Sequence, residues 1–249
     1  MAGHSKWANI KHRKGAQDKR RAKVFTRILK DIMVAVKEGG PDPDANPRLR
    51  LAVQNAKGAN IPKDTVQRAI DKASGKDAEN YIETTYEGYG PNGIAIFLEC
   101  TTDNINRTVQ DIRAAFNKHG GSLGTNGSLS FIFDHMGVFT IPQGNLDEDT
   151  LTMEMIDANA SDVVLDDGVF TVYVPFESFG SMQRKLENIG IEAENASLQR
   201  IPKDTIALDT EAAKKVMKLI DALEDIGDVQ HVYHNLALTE ELIHQLDQP

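Results

Sequence analysis

Apolar residues recur at helical spacing near the start of the chain. Between residues 16 and 39 they stand three and four positions apart, which is the period of an amphipathic helix. The positions that define this stripe are Val24, Phe25, Ile28, Leu29, Ile32, Met33 and Val36. Gly39 and Gly40, followed by Pro41, end the helix.

Two shorter helices are predicted to follow. Asn46 is a good N-cap residue and Pro47 suits the first helical position, so the second helix starts there and ends at Gly58. The third helix runs from about Pro62 to Gly75. Three helices with short links predict a small helical domain. Residues before 16 lack apolar periodicity and read as an arm.

Short alternating segments begin at about residue 76 and predict strands between helices. The predicted strands are 81–86, 93–101, 129–133, 137–141, 162–165, 169–174, 191–199, 205–208 and 229–233. The predicted helices are 104–119, 148–158, 176–189 and 210–225. The run from 137 to 199 has the order β-α-β-β-α-β, which is the inventory of a ferredoxin-like unit. Its central hairpin turns at Asp167-Gly168.

These patterns predict an α+β, multi-domain fold, with a three-helix domain followed by two ferredoxin-like α/β domains, one of them discontinuous. The last helix and strand have no partner of their own and could complete the sheet that begins at residue 79. The predicted boundaries are 1–78 for the helical domain, 79–133 with 205–240 for the discontinuous domain, and 134–204 for the inserted one.

Composition limits the setting of the protein. The longest apolar run, Ile94 to Leu98, is too short to span a membrane. The N-terminus has no apolar stretch typical of a signal peptide. Cys100 is the single cysteine, so no internal disulfide can form. We therefore expect a cytoplasmic protein without a membrane partner.

Charge is unevenly distributed along the chain. The net charge is −9. Residues 1–30 nevertheless carry ten Lys or Arg and one acid, and residues 1–76 carry 18 basic and 7 acidic residues. Residues 77–249 carry 10 basic and 30 acidic residues. Such asymmetry between segments favours a basic nucleic-acid-binding region attached to an acidic body.

Helical geometry places basic residues of the first helix opposite its apolar stripe. Clustered Lys and Arg neutralise phosphates, and a basic arm can follow a nucleic-acid backbone. The candidate nucleic-acid-binding residues are Lys6, Trp7, Lys11, His12, Arg13, Lys14, Lys19, Arg20, Lys23, Arg27, Lys30, Arg48, Arg50, Lys57, Lys63 and Arg68.

Other interpretations of these residues stay open. Charged side chains often only solvate a helix face, although a face built for solubility mixes both signs. The arm could also dock on the acidic body of the same chain. Trp7 could stack on a base or pack within the protein.

Several motifs that suggest chemistry are weak. The segment from Gly88 to Gly93 matches G-x-G-x-x-G, but a strand follows it, so it predicts a hairpin turn rather than a dinucleotide site. The segment Gly120 to Gly127 lacks the ending of a P-loop and reads as a loop, with backbone amides that could be exposed. His231 and His234 would point to opposite faces of a strand. We therefore predict no catalytic residues, no metal site and no cofactor.

Long blocks of the sequence resemble the YebC/PmpR family. They are HSKWANIKHRK at 4–14, DPDANPRLRLAV at 42–53, NIPKDTVQRAI at 60–70, YEGYGPNGIAIFLECTTDNINRTV at 86–109 and HGGSLGTNGSLSFIF at 119–133. The resemblance implies an N-terminal helical domain and two α/β domains, one discontinuous. Bacterial members are described as DNA-binding transcriptional regulators. Mitochondrial relatives are similar to translational activators, and some bacterial relatives are associated with ribosomes.

Three functions follow as hypotheses. The first is a DNA-binding transcriptional regulator that contacts phosphates through its N-terminal segment. The second is a translation factor whose basic surface binds ribosomal RNA or the ribosome, and whose acidic α/β domains could contact proteins or tRNA. The third and weakest is an enzyme that uses a cleft between the α/β domains, for which the sequence offers no convergent set of titrating groups.

Overall fold

The computed structural model describes residues 17–75, 80–239 and 242, with side chains from residue 21 onward. These residues divide into two units. One unit combines the first three helices with residues 135–199, and the other combines residues 80–134 with those from 200 onward. The three-domain boundaries expected from the sequence stay a prediction.

In the described residues, three helices precede the first strand, as the sequence predicts. They are α1 (Gln17–Gly39), α2 (Pro47–Gly58) and α3 (Lys63–Ser74). Their shared core contains Ile32, Leu49 and Ile70. Asn46 is buried and caps α2, since its side chain accepts from the Leu49 amide at 3.1 Å. The same side chain donates to the Ala35 carbonyl at 2.7 Å, which joins the cap to α1.

The first sheet has four antiparallel strands, which pair in the order Ser122–Leu123, Ile82–Tyr89, Ala95–Thr102 and Val229–His234. Its elements are β1 (Ile82–Tyr89), β2 (Ala95–Thr102), α4 (Ile105–Lys118), β3 (Ser122–Leu123), α7 (Thr210–Glu224) and β8 (Val229–His234). The C-terminal strand β8 therefore lies beside β2, far from it in the sequence. Leu98 on β2 packs in one core with Phe116 of α4 and Leu219 of α7.

The segment between β1 and β2 is a hairpin, as predicted. Tyr89 pairs with Ala95 across it, and Asn92 and Gly93 adopt φ angles of 61° and 75°. These left-handed angles suit Asn and Gly in a tight turn. A strand follows the glycines, so the helix N-terminus that a dinucleotide site requires is not formed there.

Two predicted strands are wrong. Residues 129–132 form a turn in which the Ile132 amide donates to the Leu129 carbonyl at 2.9 Å, and the next strand starts at Phe133. Leu129 and Phe133 belong to one cluster with Phe97, whereas Phe131 between them is exposed. Apolar residues at 129, 131 and 133 imitate the sequence pattern of a strand without its alternating burial. Residues 205–208 form only an isolated parallel bridge from Ile206 to Leu236.

The strands of the second sheet pair in the order Asp162–Asp166, Val169–Pro175, Phe133–Pro142 and Asn195–Pro202, which is the ferredoxin-like arrangement. Its elements are β4 (Phe133–Pro142), α5 (Glu148–Asp157), β5 (Asp162–Asp166), β6 (Val169–Pro175), α6 (Phe179–Asn188) and β7 (Asn195–Pro202). Met155 of α5 and Met182 of α6 pack on Val172 of the sheet. The predicted α+β class is confirmed, because the described residues form three N-terminal helices and two four-stranded antiparallel sheets.

Candidate nucleic-acid interface

Helix α1 is amphipathic because its apolar stripe packs on the other two helices. Ile28, Ile32 and Val36 are buried in the core that α1 shares with α2 and α3. The positions of the first half of α1 that lie outside this core include its polar side chains. The basic residues before Lys30 are among them and therefore face away from the core.

Arg21, Lys23 and Arg27 reach solvent in the first half of α1, and Lys37 is exposed near the end of the helix. Lys23 and Arg27 are half-buried. Arg21 is exposed, and its guanidinium lies 5.3 Å from the centroid of the Phe25 ring. A cation at this distance over an aromatic ring is attracted to it, which orients the side chain. Arg21 is missing from the sequence-based candidates, although a cation four positions before an aromatic residue on a helix is a readable signal.

Lys30 does not face solvent, contrary to the expectation for the cationic side of α1. Its exposed fraction is 9 %, and Val34, one turn later, is exposed by 6 %. Both lie off the stripe that packs on α2 and α3, so the second half of α1 is covered on more than one side. A helical wheel cannot show such covering, since it depends on residues distant in sequence. The group of basic side chains that begins at Arg21 therefore ends before Lys30.

Other candidates on the later helices are engaged by groups of the same chain. The Arg48 Nη1 atom lies 2.6 Å from Glu38 Oε2, and Lys57 forms an ion pair with Glu192. The remaining contacts are Arg50 with the carbonyl oxygens of Pro43 and Asp44 at 3.1 and 2.7 Å, and Arg68 Nε with the Asp64 carbonyl at 3.0 Å. These partners hold the side chains on the protein surface.

The exposed surface of α3 carries charges of both signs. Lys63, Arg68 and Lys72 are exposed there, and so are Asp64 and Asp71. Mixed signs at short spacing cancel much of the local field. This helix therefore offers less attraction to phosphate than the first half of α1.

The candidates in the N-terminal arm lie outside the described residues. They are Lys6, Trp7, Lys11, His12, Arg13 and Lys14. Lys19 and Arg20 lie within α1, but their side chains are also outside the described part. The structure therefore brings together only the Arg21, Lys23 and Arg27 portion of the proposed surface.

The glycine-rich segment after α4 is held by a buried carboxylate. Glu87 is exposed by 3 %, and its Oε1 accepts from the Gly127 amide at 2.8 Å. Its Oε2 accepts from the Leu129 amide, and its main-chain oxygen accepts from the Gly124 amide at 2.7 Å. The expectation that the backbone amides from Gly120 to Gly127 are exposed is therefore wrong at Gly124 and Gly127, because both amides bind Glu87.

Two further features bear on other classes of function. His231 pairs with Glu99 and His234 with Ile96, so the two imidazoles lie on opposite faces of the sheet. Within the described part of the chain, no helix combines the length and apolar character needed to cross a membrane.

Comparisons with known proteins place similarity along almost the whole chain. Residues 5–76 match the family described as the TACO1/YebC protein N-terminal domain, and residues 81–236 match the TACO1/YebC second and third domain. A protein of Amoebophilus asiaticus, named "Probable transcriptional regulatory protein", is 53 % identical over 240 residues, which are 95 % of this chain and 98 % of that protein. The "Probable transcriptional regulatory protein YebC" of Shigella boydii is 50 % identical over 244 residues, which are 97 % of this chain and 98 % of that protein.

A solved structure has the same fold. The crystal structure of a conserved hypothetical protein from Aquifex aeolicus superposes with a TM-score of 0.84 and 40 % sequence identity. The match covers 94 % of this chain and 97 % of that one.

Proposed function

This chain belongs to the TACO1/YebC family, and we propose that it regulates transcription by binding DNA phosphates through its basic N-terminal segment. The names of its relatives support the regulatory part of this proposal. The observation that carries the binding part is the charge distribution. Ten Lys or Arg and one acid occur in residues 1–30, whereas residues 77–249 carry 30 acidic and 10 basic residues.

The phosphate contacts are assigned to the first half of α1 and to the arm before it. Arg21, Lys23 and Arg27 reach the surface there, and Lys19 and Arg20 precede them on the same helix. Lys30 is left out because it is buried. The basic residues of α2 that pair with carboxylates are less available to neutralise phosphates. Few counterions are therefore released from the nucleic acid through them, and they contribute little to the salt dependence of binding.

The acidic remainder of the chain restricts nucleic-acid binding to the basic segment. Nucleic acid is repelled by a surface of like charge and attracted to the basic segment. The protein acts through binding rather than catalysis in this proposal. Its target lies in the bacterial cytoplasm, the compartment that a single cysteine also favours.

Ribosomal RNA is the second candidate target, and one observation favours it. Sequence-specific DNA regulators read base edges from a helix or strand in a groove. The exposed residues of α3 alternate in sign, with Asp64 and Asp71 among the basic side chains, and acids repel phosphate beside a groove. Contacts to phosphates alone would bind structured RNA as well as DNA, because both have a phosphate backbone.

The salt dependence of binding tests the contact surface. We expect about six neutralised phosphates on duplex DNA, which gives a slope of log K against log salt near −5. Replacing Lys19, Arg20, Lys23 and Arg27 by alanine should flatten the slope by about 3 to 4. The matched control replaces four basic residues elsewhere by alanine, namely Arg184, Lys214, Lys215 and Lys218. An unchanged slope in the α1 variant, or an equal change in the control, contradicts the assignment.

Crosslinking in cells followed by sequencing of both DNA and RNA separates the two targets. Enrichment at promoters that the α1 variant loses supports transcriptional regulation. Enrichment on ribosomal RNA without a promoter signal contradicts transcriptional regulation and supports ribosomal RNA as the target. If the arm only docks on its own body, removal of residues 1–15 should lower the melting temperature and leave nucleic-acid binding unchanged.

A further inference from the structure

Helix α5 carries apolar side chains on both of its faces. Leu151 and Met155 point inward and are buried in the core of the second sheet. Met153 and Ile156 point outward, with exposed fractions of 67 % and 56 %. The outward face of a surface helix is normally polar, and a helix that is apolar on both faces is typical of one covered on both. The outward pair therefore suggests a partner.

Acidic residues stand at both ends of this exposed pair. Asp149 lies one turn before Met153, and Asp157 lies one turn after it. Both carboxylates are exposed. At about 100° per residue, these four side chains share the side of α5 opposite its buried residues. We call Asp149, Met153, Ile156 and Asp157 the α5 ridge.

Two side-chain interactions hold helix α5 in place. Asp147 caps the helix by accepting from the Thr150 amide at 2.9 Å and from its hydroxyl at 2.6 Å, and these bonds lower the pKa of Asp147. Lys185 of α6 forms an ion pair with Glu154 at 2.5 Å, on a different side of α5. A surface that is ordered before binding loses less conformational entropy when a partner docks.

Two other exposed apolar residues of the described chain, Phe176 and Phe131, stand in different surroundings. Phe176 is stacked on His135, with ring centroids 4.7 Å apart. Phe131 is exposed by 67 %, but it stands between Ser130 and the half-buried Ile132 in a turn. Single exposed apolar residues are common on protein surfaces, whereas adjacent ones on one helix face are informative.

We propose that the α5 ridge docks a partner protein through a basic amphipathic helix. Apolar side chains of that helix would pack on Met153 and Ile156, and flanking Lys or Arg would pair with Asp149 and Asp157. Charge complementarity selects this occupant, because residues 135–199 contain twelve Asp or Glu and only two Lys or Arg. A second copy that docks ridge to ridge would bring two acidic surfaces together, and nucleic acid would be repelled.

Methionine methyl signals of the full-length chain provide the test. The protein contains seven methionines, and Met155, two residues after Met153, is fully buried and serves as an internal control. The probe is a synthetic helical peptide with Leu at positions i, i+3, i+4 and i+7 and with Lys and Arg on its flanks. Titration should shift the Met153 methyl signal and leave that of Met155 nearly unchanged. Replacing the peptide's Leu residues by Ser should abolish the shift.

Variants separate docking on α5 from general attraction to an acidic protein. Met153→Ser with Ile156→Ser should weaken peptide binding by about tenfold or more, since central apolar anchors dominate interface energies. Asp149→Lys with Asp157→Lys should weaken it as well. The control, Glu177→Lys with Glu187→Lys, makes the same charge change at two exposed residues that are not part of α5 and should bind within about twofold of the parent.

Four results would overturn the proposal. They are an absence of binding, equal weakening in the Glu177 and Glu187 control, a Met153 signal that moves with protein concentration alone, and a Met153 signal that moves on addition of duplex DNA. The third result would identify a second copy as the occupant, and the fourth would identify nucleic acid. None of them bears on the N-terminal phosphate contacts, which are measured separately.

Discussion

The side-chain amide of Asn55 forms two hydrogen bonds with the backbone of Ala196. Its Nδ2 donates to the Ala196 carbonyl at 2.9 Å, and its Oδ1 accepts from the Ala196 amide at 2.9 Å. Asn55 lies on α2, and Ala196 lies on the edge strand β7. The side chain thus imitates the reciprocal bonding of a neighbouring strand. It ties the three-helix segment to the ferredoxin-like sheet within one unit.

Replacing Asn55 by leucine should destabilise the chain by about 1 to 3 kcal/mol, because two partly buried backbone groups lose their partner. Exchange of the Ala196 amide with solvent deuterium should accelerate correspondingly. Gln67→Leu, at an exposed position on α3, serves as the control and should leave this exchange rate unaltered. If Ala196 stays equally protected in the Asn55 variant, the two bonds do not hold the helix in place.

Gly58 and Gly180 offer the same substitution with opposite expected effects. A Cβ atom at Gly58 would lie 1.8 Å from the Glu194 carbonyl oxygen, whereas one at Gly180 meets nothing within 4 Å. Gly58→Ala should lower the denaturation midpoint, because the clash exceeds the gain of about 1 kcal/mol in helix propensity. Gly180→Ala should raise the midpoint by up to that gain. Chemical denaturation of both variants checks the prediction, and equal midpoints would refute it.

Replacing Glu87 by glutamine should loosen the glycine-rich loop. The amide group of glutamine offers one acceptor where the carboxylate offers two, so the Gly127 or the Leu129 amide loses its partner. Hydrogen bonds to charged groups contribute about 1.5 to 3 kcal/mol, and we expect a loss of that order. Hydrogen exchange at Gly127 and Leu129 measures it. Glu83→Gln, at an exposed position of the same strand, should not alter these two amides.

Glu99 should titrate above the ordinary range of a carboxyl group. Burial raises the pKa of Glu99, while the Tyr233 hydroxyl, which donates to its Oε2 at 3.1 Å, and Arg200 oppose the rise. Tyr233→Phe should therefore raise the pKa of Glu99 further. A carbon-13 titration of the Glu99 carboxyl group measures this. Tyr89→Phe, at an exposed site, is the control.

The same shift fixes the sign of the pH dependence of stability. When the folded pKa lies above the unfolded one, the folded form binds more protons in the interval between them. The contribution of Glu99 to stability therefore falls as the pH rises through that interval, and the fall should be larger in Tyr233→Phe. A smaller fall in that variant would contradict the role assigned to the hydroxyl.

Local signals in the sequence predicted the helices and the turns well. Asn46 was readable as a helix cap, and Asp167-Gly168 as a hairpin turn, where the φ angles are 50° and 77°. Both depend on a few neighbouring residues. The hydrogen bond from Asn46 to the Ala35 carbonyl could not be predicted from the sequence, because it depends on how the first two helices pack together.

Features that depend on distant residues were missed. The burial of Lys30 results from packing beyond its own helix and cannot be seen in the periodicity of α1. The alternation from Leu129 to Phe133 predicted a strand, although the turn is set by Glu87, more than forty positions earlier. The basic candidates on α2 were visible as charges, but their partners, such as Glu192 for Lys57, were not.

The pairing of β2 with β8 affects how the chain folds during synthesis. Leu98 pairs with Val232, and this pair cannot form until Val232 has left the ribosome, after every element of the ferredoxin-like sheet. At about 5 to 20 residues per second, that interval lasts several seconds or more, which is long for the folding of a small domain. The ferredoxin-like segment can fold in that time, while the β1–β2 hairpin keeps one edge open. Until β8 is synthesised, the backbone N–H and C=O groups on one edge of β2 therefore lack their strand partner and could pair with another strand.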